Sequence, residues 1–216
     1  MVGPEVRAIT AAALYLNAFI VGSVLMGFEM LGSRYLFPWF GSGIGTWAGL
    51  ISMVLIALTI GYSCGGEIVD RYPSTRVAAV AIVIAACYLA AIPSASGPVM
   101  PWLLDHCGDG PSGVLTAAAA LLLIPMSLLG MLSPIGIRLL VRTTAESGRI
   151  AGFVYGISTV GNVVGVLGTT FFLIPTIGSR EITYLFSIIL AGCAVMLFSI
   201  PSPVTRATAA QPGATR

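Results

Sequence analysis

ITAAALYLNAFIVGSVLMGFEML, residues 9 to 31, exceeds the roughly 20 apolar residues that a helix needs to cross a bilayer, and Glu29 is its only charge. It is also longer than the core of a secretory signal, about 7–15 residues, and no small-residue cleavage site follows a short core. The run is therefore expected to stay in the protein as a membrane span. Five further apolar runs follow, separated by turn or charge signals, so the expected spans are 9–33, 45–68, 76–96, 114–140, 150–174 and 181–200. The segment 97–113, GPVMPWLLDHCGDGPSG, is expected as a proline- and glycine-broken connection with one short interfacial helix around PWLLDHC.

Composition points the same way. The 216 residues are 57% hydrophobic and only 8% charged, where a soluble domain carries about 25% charged residues. The fold class is thus an all-α polytopic membrane protein: a six-helix transmembrane domain over 1–200 and a disordered tail over 201–216, PSPVTRATAAQPGATR. A net charge of +2, spread along the chain, excludes nucleic acid as a partner. Four cysteines at 64, 87, 107 and 193 form no CxxC pair, and His106 is the only histidine. No metal site or cofactor is expected from them.

All ten basic residues are arginine. Arg7, Arg71, Arg76, Arg138, Arg142, Arg149, Arg206 and Arg216 fall on one side of the six spans, and Arg34 and Arg180 on the other. Cytoplasmic loops carry the excess of positive charge, so both termini are expected in the cytoplasm. Six helices with both ends on one side admit two three-helix halves of inverted topology, a 3+3 repeat. EMLGSR at the end of the first span and GMLSPIGIR at the end of the fourth are the sequence likeness between those halves.

Polar residues line particular faces. At 100° per residue the first span gathers Tyr15, Ala18, Gly22, Glu29 and Ser33 in one stripe. A carboxylate facing lipid alone costs roughly 2.5–3.5 kcal/mol at the bilayer centre and less near an interface. Glu29 therefore needs a partner or a polar cavity. Arg34 is the nearest basic residue, and the two read either as a lock on the first helix or as the entrance to a pathway. The fifth span holds Tyr155, Ser158, Thr159, Asn162, Gly165 and Thr169 on one face, a pattern of close helix packing or of a hydrated wall. The second span adds Ser52, Thr59, Ser63 and Glu67, with Trp47 as an interfacial anchor. Pro125 and Pro134 are expected to kink the fourth.

The connection GGEIVDRYPSTR resembles the cytoplasmic loop between helices two and three of the major facilitator superfamily. Its Gly66, Asp70, Arg71 and Arg76 match the glycine, Asp-Arg and later basic residue of that loop, with Tyr72-Pro73 in place of the usual following glycine. An aspartate at that helix end could latch to an arginine of a neighbouring segment. FEMLGSRYLFPWFGSGIGTWAGLI, GYSCGGEIVDRYP, GMLSPIGIRLLV and GRIAGFVYGISTVGNVVGVLGTTFFLIPTIGSRE resemble, in the same order, the membrane domain of bacterial spermidine synthase-like proteins. In that family the helices commonly precede a cytosolic aminopropyltransferase domain, which has no counterpart in this sequence. GSGIGT at 41–46 follows no strand and lacks the context of a nucleotide loop.

The polar stripes, Glu29 and Arg34 at the outer mouth, the Asp70-Arg71 loop and the kinked fourth span point to a half-major-facilitator-like transporter working as a homodimer or with a paired membrane subunit, and the resemblances imply a bacterial inner membrane and a small cationic or amphiphilic substrate. Glu29, Arg34, Tyr155, Ser158 and Asn162 are its candidate binding residues, and Gly66, Asp70, Arg71 and Arg76 its conformational loop. The alternative is a membrane anchor for a separate, soluble aminopropyltransferase-like enzyme. An intramembrane enzyme is not expected, because no nucleophile–base pair or ligand cluster is legible.

Overall fold

The structure, a computed structural model, describes residues 4–141 and 143–200, with side chains from residue 8 onward. The tail at 201–216, Arg142 and the side chain of Arg7 lie outside the described residues. Six helical segments are long and apolar enough to cross a membrane: Ala8–Phe40, Ile44–Arg71, Thr75–Cys107, Pro111–Leu140, Thr144–Thr176 and Ser179–Ser199. The chain is an all-α polytopic membrane protein.

The first three spans are single helices, α1 (Pro4–Phe40), α2 (Ile44–Arg71) and α3 (Thr75–Cys107). Residues with little choice end them. Gly41, at φ 73°, adopts the left-handed conformation that closes α1, its N–H donating to the Phe37 carbonyl at 3.0 Å. Gly108 ends α3 with a positive φ of 75° but an extended ψ of 178°, a combination open to glycine, its N–H donating to the Leu104 carbonyl at 2.9 Å. Between α2 and α3, Pro73 disfavours a helical conformation at Tyr72, which lies at φ −132° and ψ 74°, and Ser74 caps the next helix, its hydroxyl accepting from the Arg76 N–H at 3.2 Å.

One expectation fails here. Residues 97–107 are not a broken connection but the last three turns of α3, which runs through Pro93, Pro98 and Pro101. Proline has a helix-compatible φ, and each of these costs one backbone bond instead of ending the helix. The break is confined to Gly108–Gly110, and Pro111 opens the next helix from its first turn.

The fourth span is α4 (Pro111–Ala118), a π turn (Ala119–Leu123), α5 (Ile124–Gly130) and α6 (Leu132–Leu140). The fifth is a short 3₁₀ turn (Thr144–Glu146), α7 (Ser147–Gly168), a second π turn (Thr169–Leu173) and α8 (Ile174–Thr176), and α9 (Ser179–Ser199) is the sixth. Both π turns stop two residues before a proline, Pro125 or Pro175, each following an isoleucine. Such a proline has no N–H for the carbonyl four residues back, and a widened turn makes room for its ring. Pro134 lies just past the interruption at Met131, so both prolines expected to bend the fourth span coincide with breaks.

The most extensive pairings join the first span to the fifth, the second to the fourth and the third to the sixth. Exchanging the first three spans with the last three maps this set onto itself, as two inverted halves require. Glycine pairs repeat the relation in detail. A Cβ on Gly161 or Gly165 would collide with the Phe19 or Ser23 carbonyl of α1, and one on Gly61 or Gly65 with the Ser127 carbonyl or Met131 backbone of the fourth span. Close backbone approach through small residues four apart is how membrane helices gain packing. Where the third and sixth spans meet, the Ser187 hydroxyl donates to the Ala86 carbonyl at 2.8 Å.

Candidate functional site

The first, second, fourth and fifth spans enclose a cavity of about 30 Å³, lined on α1 by Ala18, Gly22 and Leu25 and on α2 by Leu58 and Tyr62. Ser133 of α6 and Ser158 and Asn162 of α7 supply further polar groups. Its volume suits a single water-sized group. With its amide nitrogen turned toward α1, Asn162 donates to the Gly22 carbonyl at 2.9 Å and to the Ser158 carbonyl at 3.3 Å. Gly22 leaves the space for this bridge, because a Cβ there would lie 2.8 Å from the Asn162 side-chain amide and collide with the Ser158 carbonyl.

Beside the cavity, the Tyr62 and Tyr155 rings meet edge to face with centroids 6.4 Å apart and planes at 77°. They join α2 to α7. Both tyrosines are exposed, and neither hydroxyl has a hydrogen-bond partner among the described residues. Thr59, Ser63 and Thr159 are exposed nearby in sequence, but their hydroxyls donate to carbonyls one turn back, Leu55, Thr59 and Tyr155, at 2.8–2.9 Å.

Glu29 is 7% exposed and makes no hydrogen bond or ion pair among the described residues. It continues the cavity's stripe on α1, one turn beyond Leu25, or about 6 Å along the axis. Arg34 is exposed and unpaired among the described residues. Five residues turn a helix through about 140° beyond a full circle, so the two project to different sides of α1. The lock between them does not form. Tyr155, Ser158 and Asn162 are thus brought together, Glu29 stands on their stripe at a distance, and Arg34 stands apart.

The conformational loop has definite partners. Arg138 of α6 donates through Nε to Asp70 Oδ1 at 3.1 Å, tying the end of the second span to the end of the fourth. Arg71 donates to Glu67 at 2.6 Å within α2. Both pairs are more than half exposed. Gly66 has open space around it, and Arg76 is exposed without an ion pair among the described residues. Trp47, at the far end of α2, meets Phe37 edge to face at 5.7 Å.

Three polar positions escaped the sequence reading. Tyr62 is one: it adjoins the Thr59–Ser63 stripe, and its aromatic hydroxyl at mid-span was the available signal. Tyr35 is another, buried on α1 and hydrogen-bonded to Thr183 of α9 at 2.9 Å. Asn17 is the third, 2% exposed, with its amide nitrogen donating to the Ala13 carbonyl at 3.1 Å and its side-chain oxygen unpaired. His106 stacks on Trp102 one turn earlier in α3, ring centroids 4.4 Å apart. Family models, curated proteins and solved structures give no match to this chain.

Proposed function

We propose that this membrane protein is half of a transporter, paired with a second copy or a related membrane subunit across the α2–α7 seam, and that it moves a small cationic or amphiphilic substrate. The observation that carries this reading is the pair of unpartnered hydroxyls on Tyr62 and Tyr155, exposed on two spans about 7 Å along the helix axis from each midpoint and so within the hydrocarbon core. Lipid tails offer no hydrogen-bond partner at that depth, whereas a substrate, water or a second half would. The faces of the two rings also suit a cation, and a desolvated cation–π contact is worth about 2 kcal/mol. Glu29, buried on the adjoining stripe, supplies the counter-charge, since ionisable groups inside a membrane mark substrate pathways.

The Asp70–Arg138 pair fits a latch that closes one end of the bundle in one conformation and opens in another. The likeness to the membrane domain of spermidine synthase-like proteins favours a polyamine among small cations, and a half-major-facilitator arrangement in a bacterial inner membrane. The arginine-rich end would then face the cytoplasm. Uptake of labelled putrescine and spermidine into proteoliposomes tests the proposal. Wild-type uptake that falls at least tenfold in Glu29→Gln supports it, and equal uptake by both proteins removes Glu29 from the pathway.

A further inference from the structure

A second surface of the fifth span has a different chemistry. A groove of about 520 Å³ runs along α7, with Phe19 of α1 on one side and Phe153, Ile157 and Val160 of α7 along its length. Gly148, Gly152 and Gly156 leave it open, since nothing lies within 4 Å of where their side chains would begin. Arg149 stands at its outer end, exposed and without an ion pair among the described residues.

We propose that this groove is a binding site for an anionic phospholipid, with one acyl chain along α7 and the headgroup phosphate on Arg149. Length is the first argument. From Arg149 to Val160 the helix rises about 16 Å, close to the roughly 15 Å of one leaflet's hydrocarbon. Placement is the second: the fifth span is Thr144–Thr176, so Val160 falls at its midpoint and Arg149 near the membrane surface. Charge is the third. Among the described residues the groove's lining has one cation, Arg149, and it stands at headgroup level, where an anionic lipid places its phosphate and a guanidinium can grip two of its oxygens.

Position on the helix separates this groove from the tyrosine seam. At 100° per residue, Phe153 and Val160 lie about 140–160° around α7 from Tyr155. The flank they occupy carries no hydroxyl or amide along its length, so a second transporter half pairing at Tyr155 would leave it facing lipid. The site does not depend on the transport reading.

Native mass spectrometry of the full chain in detergent, titrated separately with dioleoyl phosphatidylglycerol and dioleoyl phosphatidylcholine, tests the proposal. One phosphatidylglycerol should be retained at least tenfold more tightly than phosphatidylcholine. Arg149→Gln should bring the two near parity, Arg149→Lys should keep most of the preference, and Gly152→Leu should weaken retention of both by filling the groove. Gly156→Leu serves the same purpose should Gly152→Leu not fold. Equal retention of the two lipids by wild type, or an unchanged preference in Arg149→Gln, overturns the assignment. A dimer that Gly152→Leu converts to monomer with lipid retention intact also overturns it, giving the groove to a second copy.

Discussion

Gly161→Ala places a methyl group where the fold has none to spare. Its Cβ would collide with the Phe19 carbonyl and stand 3.1 Å from the Phe19 Cα, and each of these neighbours is α1 backbone. No side-chain rotation can relieve the contact, so α1 and α7 must separate along the most extensive pairing in the bundle. Overpacking of this kind costs about 1–3 kcal/mol. Alanine recovers about 0.5–1 kcal/mol of helix propensity over glycine, leaving a net loss of about 0–2.5 kcal/mol, with the upper half expected because the obstacle is rigid. Gly156→Ala, on the same helix with open space around it, receives the propensity gain without the clash. The two variants should move in opposite directions. Thermal unfolding in detergent, at about 2–4 °C per kcal/mol for a chain of this size, should lower Tm by several degrees for Gly161→Ala and leave or raise it for Gly156→Ala. A Gly161→Ala protein as stable as Gly156→Ala would refute the backbone-contact argument.

Other perturbations have sharper chemistry. Thr183→Val removes the 2.9 Å partner of the buried Tyr35 hydroxyl and should cost about 1 kcal/mol in detergent unfolding. Tyr35→Phe combined with it should recover part of that loss, because the hydroxyl it removes would otherwise keep only the long 3.5 Å bond to the Ser179 carbonyl. Asp70→Asn should change stability by less than about 1 kcal/mol, since the pair with Arg138 is largely exposed; under the transport reading its effect appears in uptake rate. Pro125→Ala restores an N–H after the first π turn and should stiffen the fourth span, slowing backbone hydrogen exchange over 119–124 relative to wild type.

Hydrophobic run length made the six spans legible, because no soluble fold needs so many uninterrupted stretches near 20 residues. It misplaced the end of the third. Pro98 and Pro101 read as breakers, yet each removes only one donor and keeps a helical φ, so α3 extends to Cys107. The inverted relation between halves was sought in EMLGSR and GMLSPIGIR. The packing expresses it elsewhere, in Gly61 and Gly65 against the fourth span and Gly161 and Gly165 against the first. Small-residue spacing is visible in a sequence, but the backbone it will meet is not.

The site was legible in part for a similar reason. Helical periodicity placed Tyr155, Ser158 and Asn162 together within one helix, and three-dimensional packing was needed to bring Tyr62 against them. The same periodicity separates Glu29 from Arg34, so their proximity in sequence was no guide to pairing. Asp70 found its partner in Arg138, sixty-eight positions away, a contact set by helix packing and invisible to local spacing.

Under the transport proposal, the seam between α2 and α7 presents polar groups to something other than lipid. Single cysteines at Thr59, Ser63, Tyr155 and Thr159, in a background with Cys64, Cys87, Cys107 and Cys193 replaced by alanine, can be exposed to a membrane-impermeant thiol reagent in sealed vesicles. Cysteines in place of Val80, Ile188 and Val195, exposed apolar positions on the third and sixth spans, serve as controls. If the seam faces water, substrate or a second half, the Tyr155 position reacts, with at least one of the α2 positions, while the controls do not. Equal silence at the seam and at the controls would contradict it and return α2 and α7 to lipid.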